Sequence, residues 1–176
     1  MNNREKNKTG FKILGIDPGS INCGYGLIST NGKEALYITS GRISASPSKP
    51  LHLRLKDIFG SLQEIIQKYT PDKIVVEKIF FAKGAKAALS LGHARGIVLL
   101  AAASENIDLH EYSALEVKKA ITGYGRADKN QVQEMVKLIL NIKGALYPDS
   151  ADALALALCY TNTLKFNETR DKGKKC

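Results

Sequence analysis

Four carboxylates are the side chains of this sequence whose positions most clearly indicate chemistry. Asp17 and Glu77 each follow an apolar run, at the point where an expected strand ends. Asp149 and Asp152 are three residues apart at the expected start of a helix, and that spacing puts them on one helix face. Converging carboxylates repel one another unless a cation neutralises them, and oxygen ligands alone favour Mg²⁺ or Mn²⁺ over zinc. The four acids therefore predict a divalent-metal site.

Some of these acids also have a purely structural interpretation. Asp17 fits the start of an Asp-Pro-Gly turn, and Asp149 fits a helix N-cap, so for these two the structural and the catalytic interpretations stay equal alternatives. Glu77 ends a strand between Val76 and Ile79, Asp152 is followed by the apolar run 153–156, and a charge in such surroundings needs a partner. These two residues therefore favour a functional site.

The expected secondary structure explains how distant acids can meet. Apolar runs predict strands at 11–17, 24–29, 35–43, 73–77 and 107–112. Three- and four-residue apolar spacing, with a capping-box pattern at 113–116, predicts helices at 51–69, 83–104, 113–121, from 128 onward, and from 148 to about 163. The first three strands form an antiparallel meander, and the fourth and fifth, reached through helices, lie parallel to the first. The predicted fold class is α/β, a mixed five-stranded sheet flanked by helices.

That topology brings two of the acids to one edge of the sheet. Ligands of open α/β sheets bind at the carboxyl ends of the strands, where Asp17 and Glu77 lie. If the first and fourth strands are neighbours, their backbones are about 4.8 Å apart, and both carboxylates can reach one ion.

Length and charge limit the organisation and the partners of the chain. Its 176 residues fit one domain, and 26 Lys and Arg against 17 Asp and Glu give a net charge of +9. Such an excess is compatible with solubility alone, and it also favours a polyanionic partner, because basic side chains release counterions from phosphates. We expect a basic flexible extension at 1–10, a single domain at 11–163 and a basic flexible tail at 164–176.

The sequence also carries signals about the compartment. The first ten residues lack the apolar stretch of a secretory signal, and no apolar run is expected to approach the roughly 20 residues of a membrane helix. The three cysteines are far apart and form no CxxC pair, so they support neither a zinc site nor a disulfide framework. We therefore expect a cytoplasmic protein with no membrane partner.

A series of segments resembles the RuvC family of bacterial Holliday-junction endonucleases. The series spans roughly residues 11–163 in the same order and spacing, and it is specific as a whole although each motif alone is weak. The matching segments are Ile13–Ser20, Gly24–Gly26, Val76–Glu77, Phe80, Ala82–Lys83, Leu91–Gly92, Ala94–Gly96, Glu111–Tyr112, Val117–Lys118, Lys129, Gln131–Val132 and Asp149–Ala155.

The resemblance implies a fold, a reaction and partners. The fold is ribonuclease-H-like, and a two-fold homodimer resolves four-way (Holliday) junction DNA by paired symmetric nicks in recombination and repair. Two Mg²⁺ ions per active site, for which Mn²⁺ substitutes, catalyse a hydrolysis that leaves 5′-phosphate and 3′-hydroxyl ends. The branch-migration proteins RuvA and RuvB are implied partners. The implied catalytic metal ligands are Asp17, Glu77, Asp149 and Asp152.

The resemblance also implies roles for basic and aromatic residues. Lys118 and Lys129 match residues that serve the scissile phosphate or bind DNA, so we expect both to be catalytic and DNA-binding residues. Phe80 matches an aromatic residue that stacks on a base near the crossover, and Lys83 and Arg126 are expected as further DNA contacts. Without the resemblance, the two matched lysines fit solvated helix positions and Phe80 fits a core position.

Three positions are left open by the resemblance. Lys78 stands where many members of the family have Gln, and it adds positive charge beside the predicted site, with consequences for DNA contact or metal affinity. Gly92 and Gly96 lie on one helix face and permit close backbone approach. Dimer contact, DNA contact and core packing are all compatible with that glycine pair.

Three other functions fit parts of the sequence. The Asp-Pro-Gly-Ser segment at 17–20 resembles a phosphate motif of sugar kinases, but their architecture needs two lobes and 176 residues supply one. A non-catalytic DNA-binding module is opposed by the intact set of carboxylates. A ribonuclease-H-like enzyme acting on RNA would share the first three acids, but not the segments around Phe80 and Lys118.

Overall fold

The secondary structure follows the predicted order. The computed structural model describes residues 10–78 and 84–173, without the side chains of residue 86 and of residues 165–173. In that part of the chain the strands are β1 (Phe11–Asp17), β2 (Asn22–Thr30), β3 (Ala35–Ser44), β4 (Lys73–Glu77) and β5 (Asp108–Tyr112). The helices are α1 (Leu51–Tyr69), α2 (Ala85–Ser104), α3 (Ala114–Thr122), α4 (Lys129–Ile139) and α5 (Pro148–Gly173).

The sheet has the predicted mixed topology. Its strand order is β3-β2-β1-β4-β5. β1 pairs antiparallel with β2 and β2 with β3, whereas β4 lies parallel to both β1 and β5. Ile16 pairs with Val76, so the next residue of each strand, Asp17 and Glu77, ends its strand at the same edge of the sheet. The predicted α/β fold class is therefore confirmed.

Each face of the sheet carries its own hydrophobic core. Successive strand residues point to opposite faces, so Ile13 and Leu14 enter different cores. The first core packs α3, α4 and α5 against one face, and Leu154 of α5 is fully buried there. The second packs α1 and α2 against the other face, around Ile58 and Val98. The strands are thus covered on both sides, and their acidic ends lie at the edge between the two layers of helices.

The central helix α5 lies unusually close to the sheet because the strands beneath it carry glycines. A Cβ on Gly15 would stand 1.8 Å from the carbonyl oxygen of Ala153, and one on Gly26 would stand 2.5 Å from Cγ of Leu154. Real Cβ atoms cannot approach so closely, so both positions require glycine while α5 keeps this path. The alanines of the helix, such as Ala153 and Ala157, complete this close packing.

Two helices begin with the side-chain caps that the sequence indicates. At the start of α3, the backbone N–H of Glu116 donates to Ser113 Oγ and the backbone N–H of Ser113 donates to Glu116 Oε2. Asp128 and Gln131 form the same reciprocal pair at the start of α4. These bonds satisfy backbone donors that have no partner inside a helix.

The predicted end of the last helix is wrong. The sequence analysis ends it at about Thr163, whereas α5 continues to Gly173. No proline or glycine interrupts residues 164–172, and their Lys, Arg and Glu residues favour helix. Residues 164–173, expected as a flexible tail, are therefore helical. Residues 174–176 and the expected extension at 1–9 lie outside the described residues.

One expectation about apolar runs also needs correction. The segment Ala87–Ser104 of α2 has 18 residues and a mean hydropathy of 1.4, which is long and apolar enough to span a membrane by length and composition alone. Core helices of soluble proteins meet the same criterion. Ala94, Val98 and Ala101 of this segment are buried in the second core. The composition of α2 alone therefore does not assign it to a membrane.

Candidate active site

The four predicted acids approach one another at the carboxyl edge of the sheet. Asp17 ends β1 and Glu77 ends the neighbouring β4. Asp149 and Asp152 lie in the first turns of α5, which begins above the same edge. The ends of β1 and β4 and the start of α5 thus bring four carboxylates to the same edge of the sheet.

Residues of β2 and β3 fix the start of α5 in that position. A Cβ on Gly24 would stand 2.1 Å from the carbonyl oxygen of Asp149, so the first turn of the helix rests directly on β2. The buried Ser150 Oγ donates a hydrogen bond of 2.8 Å to the carbonyl oxygen of Gly41 in β3. Arg42 lies 4.6 Å from the ring centroid of Tyr147 in a cation–π contact. Together these contacts hold the turn that carries two of the acids.

The charges of the acids act on each other. Burial, followed by the negative charges of Asp152, Glu77 and Asp149, raises the pKa of Asp17 from 3.8 to about 7, and Lys129 opposes this rise. The pKa of Glu77 is raised by burial and then by Asp152. An apolar setting and like charges both disfavour ionisation. The cluster therefore has an excess of negative charge that a cation would relieve.

Two lysines face the same cluster. Lys129 Nζ lies 3.1 Å from Oδ2 of Asp152, and this hydrogen bond raises the pKa of Lys129. The positive charges of Lys129 and Lys118 both oppose the rise in the pKa of Glu77. The predicted basic residues of α3 and α4 thus lie within electrostatic reach of the predicted acids.

A cavity of about 170 Å³ joins most of these side chains. Asp17, Glu77 and Asp152 line it together with Lys118 and Lys129, and apolar residues of α3, α4 and α5 complete the wall. Asp149 is not among its lining residues, although its charge raises the pKa of Asp17. The structure therefore brings five of the six predicted catalytic residues to one cavity and the sixth close behind it.

The donor set suits an oxygen-preferring divalent cation, but its side chains are not arranged as a finished cage. Among the side chains that the structure describes, no three of His, Cys, Asp or Glu form a group that could already hold a metal ion. One of the four acids, Asp152, is paired with Lys129 in this arrangement. A metal would need these side chains to adjust.

The other predicted DNA contacts are Arg126, Phe80 and Lys83. Arg126 is exposed in the link between α3 and α4, and it lines neither of the two cavities that Asp17 and Glu77 line. Phe80 and Lys83 lie outside the described residues. The structure therefore does not bring Arg126 into either cavity, and the roles of Phe80 and Lys83 stay predictions.

A larger cavity of about 430 Å³ adjoins the acids on the α2 side. It shares Asp17 and Glu77 with the first cavity, and Lys78 and Arg95 are its basic lining residues in the described part of the chain. Arg95 forms an ion pair with Glu111 of β5. The acids thus lie between two cavities, each with basic residues in its wall.

Sequence reasoning missed the residues that support the site. Gly24, Gly41 and Ser150 hold the first turn of α5, yet none was assigned a role. For Gly24 a signal existed, since a glycine inside a strand often marks the close approach of another backbone. Nothing in the sequence pairs Ser150 with Gly41, which lies 109 residues away.

Comparison with known proteins assigns the family. The family model described as "Crossover junction endodeoxyribonuclease RuvC" matches residues 13–160. The RuvC crossover junction endodeoxyribonuclease of Syntrophotalea carbinolica is 45% identical over 158 residues, which cover 90% of this chain and 98% of the relative. That of Desulforamulus reducens is 49% identical over 149 residues, covering 84% and 91%. The chain belongs to the RuvC family.

Solved structures agree with this membership. Thermus thermophilus RuvC in complex with a Holliday junction substrate has a TM-score of 0.84 and 32% identity, and the match covers 89% of this chain and 96% of that one. The yeast mitochondrial Holliday junction resolvase Ydc2, at 15% identity and a TM-score of 0.68, shows likeness of fold alone. The predicted ribonuclease-H-like fold is therefore confirmed.

Membership of the RuvC family also decides the enzyme class. The chain is a crossover junction endodeoxyribonuclease, a hydrolase of phosphodiester bonds that resolves Holliday junctions in recombination and repair. Members of the family are metal-dependent nucleases. The nuclease is thereby favoured over the sugar-kinase-like, non-catalytic and RNA-cutting alternatives.

Proposed function

We propose that this RuvC-family enzyme holds Mg²⁺ with its four clustered carboxylates and uses it to nick Holliday junctions at two symmetric positions. The observation that carries the proposal is that Asp17, Glu77 and Asp152 line one cavity, where burial and the neighbouring negative charges raise the pKa of Asp17 to about 7. The proposed ligands, which would hold two Mg²⁺ or Mn²⁺ ions per site, are Asp17, Glu77, Asp149 and Asp152. When bound, the metal supplies positive charge that activates the attacking water and stabilises the leaving oxygen, leaving 5′-phosphate and 3′-hydroxyl ends.

The protein's own cations act on the phosphate. Lys129 is 3.1 Å from Asp152, and Lys118 lines the same cavity. When a phosphodiester enters, both ammonium groups can donate to its oxygens and stabilise the negative charge that develops in the transition state. Lys129 is also the hydrogen-bond partner of Asp152 before substrate arrives. We therefore assign both lysines to catalysis as well as to DNA binding.

Other residues contact the DNA away from the reacting phosphate. Arg126 is exposed between α3 and α4, where its guanidinium can reach a backbone phosphate. Phe80 as a stacking residue and Lys83 as a phosphate contact rest on the resemblance alone, because both lie outside the described residues. The net charge of +9 supports extensive contact with a polyanion.

The working unit is a homodimer. A four-way junction has approximate two-fold symmetry, and a two-fold dimer presents two identical sites to it. The exposed face of α2 supports this: Leu89 and Leu100 are exposed there, and a Cβ on Gly92 or Gly96 would meet no heavy atom of the described residues within 4 Å. Packing within the chain thus does not explain the glycine pair. A second copy of α2 would cover this apolar face, and the two glycines would let its backbone come close.

The cellular setting follows from the substrate. The Thermus relative is described as bound to a Holliday junction substrate, and we extend that substrate to this chain. Junctions are made and moved during recombination, so RuvA and RuvB, which drive branch migration, are the proposed protein partners. Because the substrate is DNA, the cytoplasm is the proposed location.

The proposal is tested with a labelled synthetic four-way junction. The protein is incubated with it in Mg²⁺ or in EDTA, beside a linear duplex and an RNA–DNA hybrid of the same sequence. Paired nicks in the junction alone, only with Mg²⁺, and products that ligase can seal are expected. Cutting of the hybrid in preference to the junction, or cutting in EDTA, would contradict the proposal.

A further inference from the structure

The cavity on the α2 side of the acids has the size and chemistry of a ligand site. Its volume of about 430 Å³ exceeds that of the neighbouring cavity, and it falls in the range of about 300–1,000 Å³ usual for small-ligand pockets. Pro18, Leu91 and Leu115 provide apolar walls, and Lys78 and Arg95 provide positive charge. Apolar walls suit a sugar or a base, and a cation beside them suits a phosphate.

Of the two cations, Arg95 already has a partner. Its guanidinium is paired with the carboxylate of Glu111, and the two side chains are partly buried, with 21% and 34% of their surface exposed. Breaking such a pair leaves a charge in a poorly solvated place, which is costly. Arg95 therefore contributes to the positive potential of the cavity, but it could bind a new partner only by breaking its ion pair with Glu111.

Lys78 is held much more loosely. Its ammonium lies 3.9 Å from Oε2 of Glu116, and both side chains are 50% exposed. Exposed ion pairs of this kind add little stability. Glu116 is already occupied, since its carboxylate accepts hydrogen bonds of 2.7 Å from the backbone N–H and from Oγ of Ser113 at the cap of α3. Lys78 can therefore leave Glu116 while the cap stays intact.

The backbone of Lys78 is fixed beside the acids. Its N–H donates to the carbonyl oxygen of Tyr112 over 2.8 Å, which extends the pairing of β4 and β5 by one residue. It directly follows Glu77, which lines both cavities. A phosphate in the second cavity would therefore be a near neighbour of one held at the carboxylates.

We propose that the second cavity binds the nucleotide next to the scissile phosphate, with Lys78 moving from Glu116 to contact the phosphate of that nucleotide. The inference rests on the proposed function, because it requires the scissile phosphate to lie at the carboxylates. Glu116 acts as the resting partner of Lys78 and competes with the DNA for it.

The test compares junction binding by matched variants over a range of NaCl concentrations in EDTA. Lys78→Gln removes the contact. Glu116→Gln removes the competing charge while Gln keeps the capping box. Lys49→Gln is the control, because Lys49 pairs with Asp57 in a similar surface ion pair, with side chains 47% and 41% exposed, and lines neither cavity. Circular dichroism checks that all variants fold.

Each variant has its own expected result. Lys78→Gln lowers the salt slope of log K by about 1, so the affinity ratio of wild type to variant falls about threefold between 50 and 200 mM NaCl. Glu116→Gln binds the junction more tightly, and this gain is absent in the double variant with Lys78→Gln. Lys49→Gln keeps the wild-type slope. A neutral methylphosphonate at the phosphate next to the cut lowers the slope of wild type but not of Lys78→Gln.

An unchanged slope for Lys78→Gln, an equal change for Lys49→Gln, or a gain from Glu116→Gln that persists in the double variant would overturn the inference. Nicking by the wild type in Mg²⁺ is scored separately. If the wild type nicks the junction but Lys78→Gln has an unchanged salt slope, the role of Lys78 is rejected and the proposed catalytic function stands. A changed slope without nicking rejects only the proposed catalytic function.

Discussion

Gly24 and Asp149 are in direct backbone contact, although 125 positions separate them in the numbering of the chain. A Cβ on residue 24 would stand 2.1 Å from the carbonyl oxygen of Asp149 and 2.9 Å from its Cβ. Gly24 is also the strand partner of Asp17 in the pairing of β1 with β2. The missing side chain at residue 24 therefore permits an acid of α5 to lie beside the acid that ends β1.

Replacing this glycine should damage the site before it damages the fold. Gly24→Ala forces the first turn of α5 outward, and overpacking of this kind costs about 1–3 kcal/mol of unfolding free energy. Junction nicking is expected to fall further than stability explains, because Asp149 and Asp152 move with the turn. Denaturant unfolding and nicking in Mg²⁺ measure the two effects.

Gly60→Ala is the matched control for that substitution. Gly60 lies inside α1, and a Cβ there would meet no heavy atom of the described residues within 4 Å. This variant should keep full nicking and gain about 0.5–1 kcal/mol of stability. Equal nicking by the two variants would show that the contact of Gly24 with Asp149 does not position the acids.

The ion pair of Lys129 with Asp152 provides a second prediction. Lys129→Gln removes a positive charge from the cavity, and nicking should slow on the order of a hundredfold, as on loss of a donor that stabilises a transition state. Junction affinity should fall only about severalfold, because one phosphate contact of many is lost. Single-turnover nicking and anisotropy binding measure these quantities.

Lys137→Gln serves as the comparison on the same helix. Lys137 pairs with Glu134 at 2.9 Å, and neither residue lines the two cavities beside the acids. It should nick at the wild-type rate. If both lysine variants slowed nicking equally, a general loss of charge would explain the effect better than a catalytic role for Lys129.

The raised pKa of Asp17 predicts a pH dependence of stability in EDTA. The folded carboxyl has a pKa of about 7 against 3.8 for the ordinary group, so the folded state binds more protons than the unfolded state between these values. Stability should therefore fall as pH rises from about 4 to about 7, relative to Asp17→Asn. At 1.36 kcal/mol per pH unit the relative loss is at most about 4 kcal/mol.

Thermal unfolding of both proteins at pH 4.5, 6 and 8 tests this prediction. Added Mg²⁺ should restore stability to the wild type at pH 8 more than to Asp17→Asn, because the metal favours the ionised carboxylates. If the difference in stability between wild type and Asp17→Asn stayed constant across this range, the pKa of Asp17 would not be raised by burial and by the neighbouring acids.

The exposed face of α2 predicts where the dimer can be broken. Leu100 is 54% exposed on this face, and Leu100→Lys places a charge there. The variant should sediment as a monomer and lose paired nicking. Leu138→Lys is the control, since Leu138 of α4 is 73% exposed and away from α2. A monomeric wild type, or dissociation by the control alone, would contradict the proposed interface.

The sheet and the acidic strand ends could be predicted because they depend on local patterns. The apolar run at 74–76 predicts β4, and Glu77 follows it directly. The same is true of β1 and Asp17. The parallel direction of β1 and β4 then follows because β3, which runs in the direction of β1, is connected to β4 through helix α1. Local sequence thus sufficed to place these two acids at one edge.

Other features depend on packing between distant segments. The hydrogen bond of Ser150 with Gly41 and the pair of Lys129 with Asp152 arise only once α4 and α5 are docked. The end of α5 is a different case, because the lack of a breaking residue between Thr163 and Gly173 is a local signal for continued helix that the prediction did not use. The second cavity likewise requires α2 and α3 to be in place, which no motif in the sequence specifies.

The most direct test of the account is junction nicking by Asp17→Asn in Mg²⁺, measured together with junction affinity on the same preparation. Asn keeps the shape of the side chain but lacks the charge that a metal requires. Nicking should fall by more than about a hundredfold, the upper loss for residues that only support metal ligands, while the dissociation constant stays near that of the wild type. Nicking near the wild-type rate, or loss of binding together with nicking, would contradict a metal site built on Asp17.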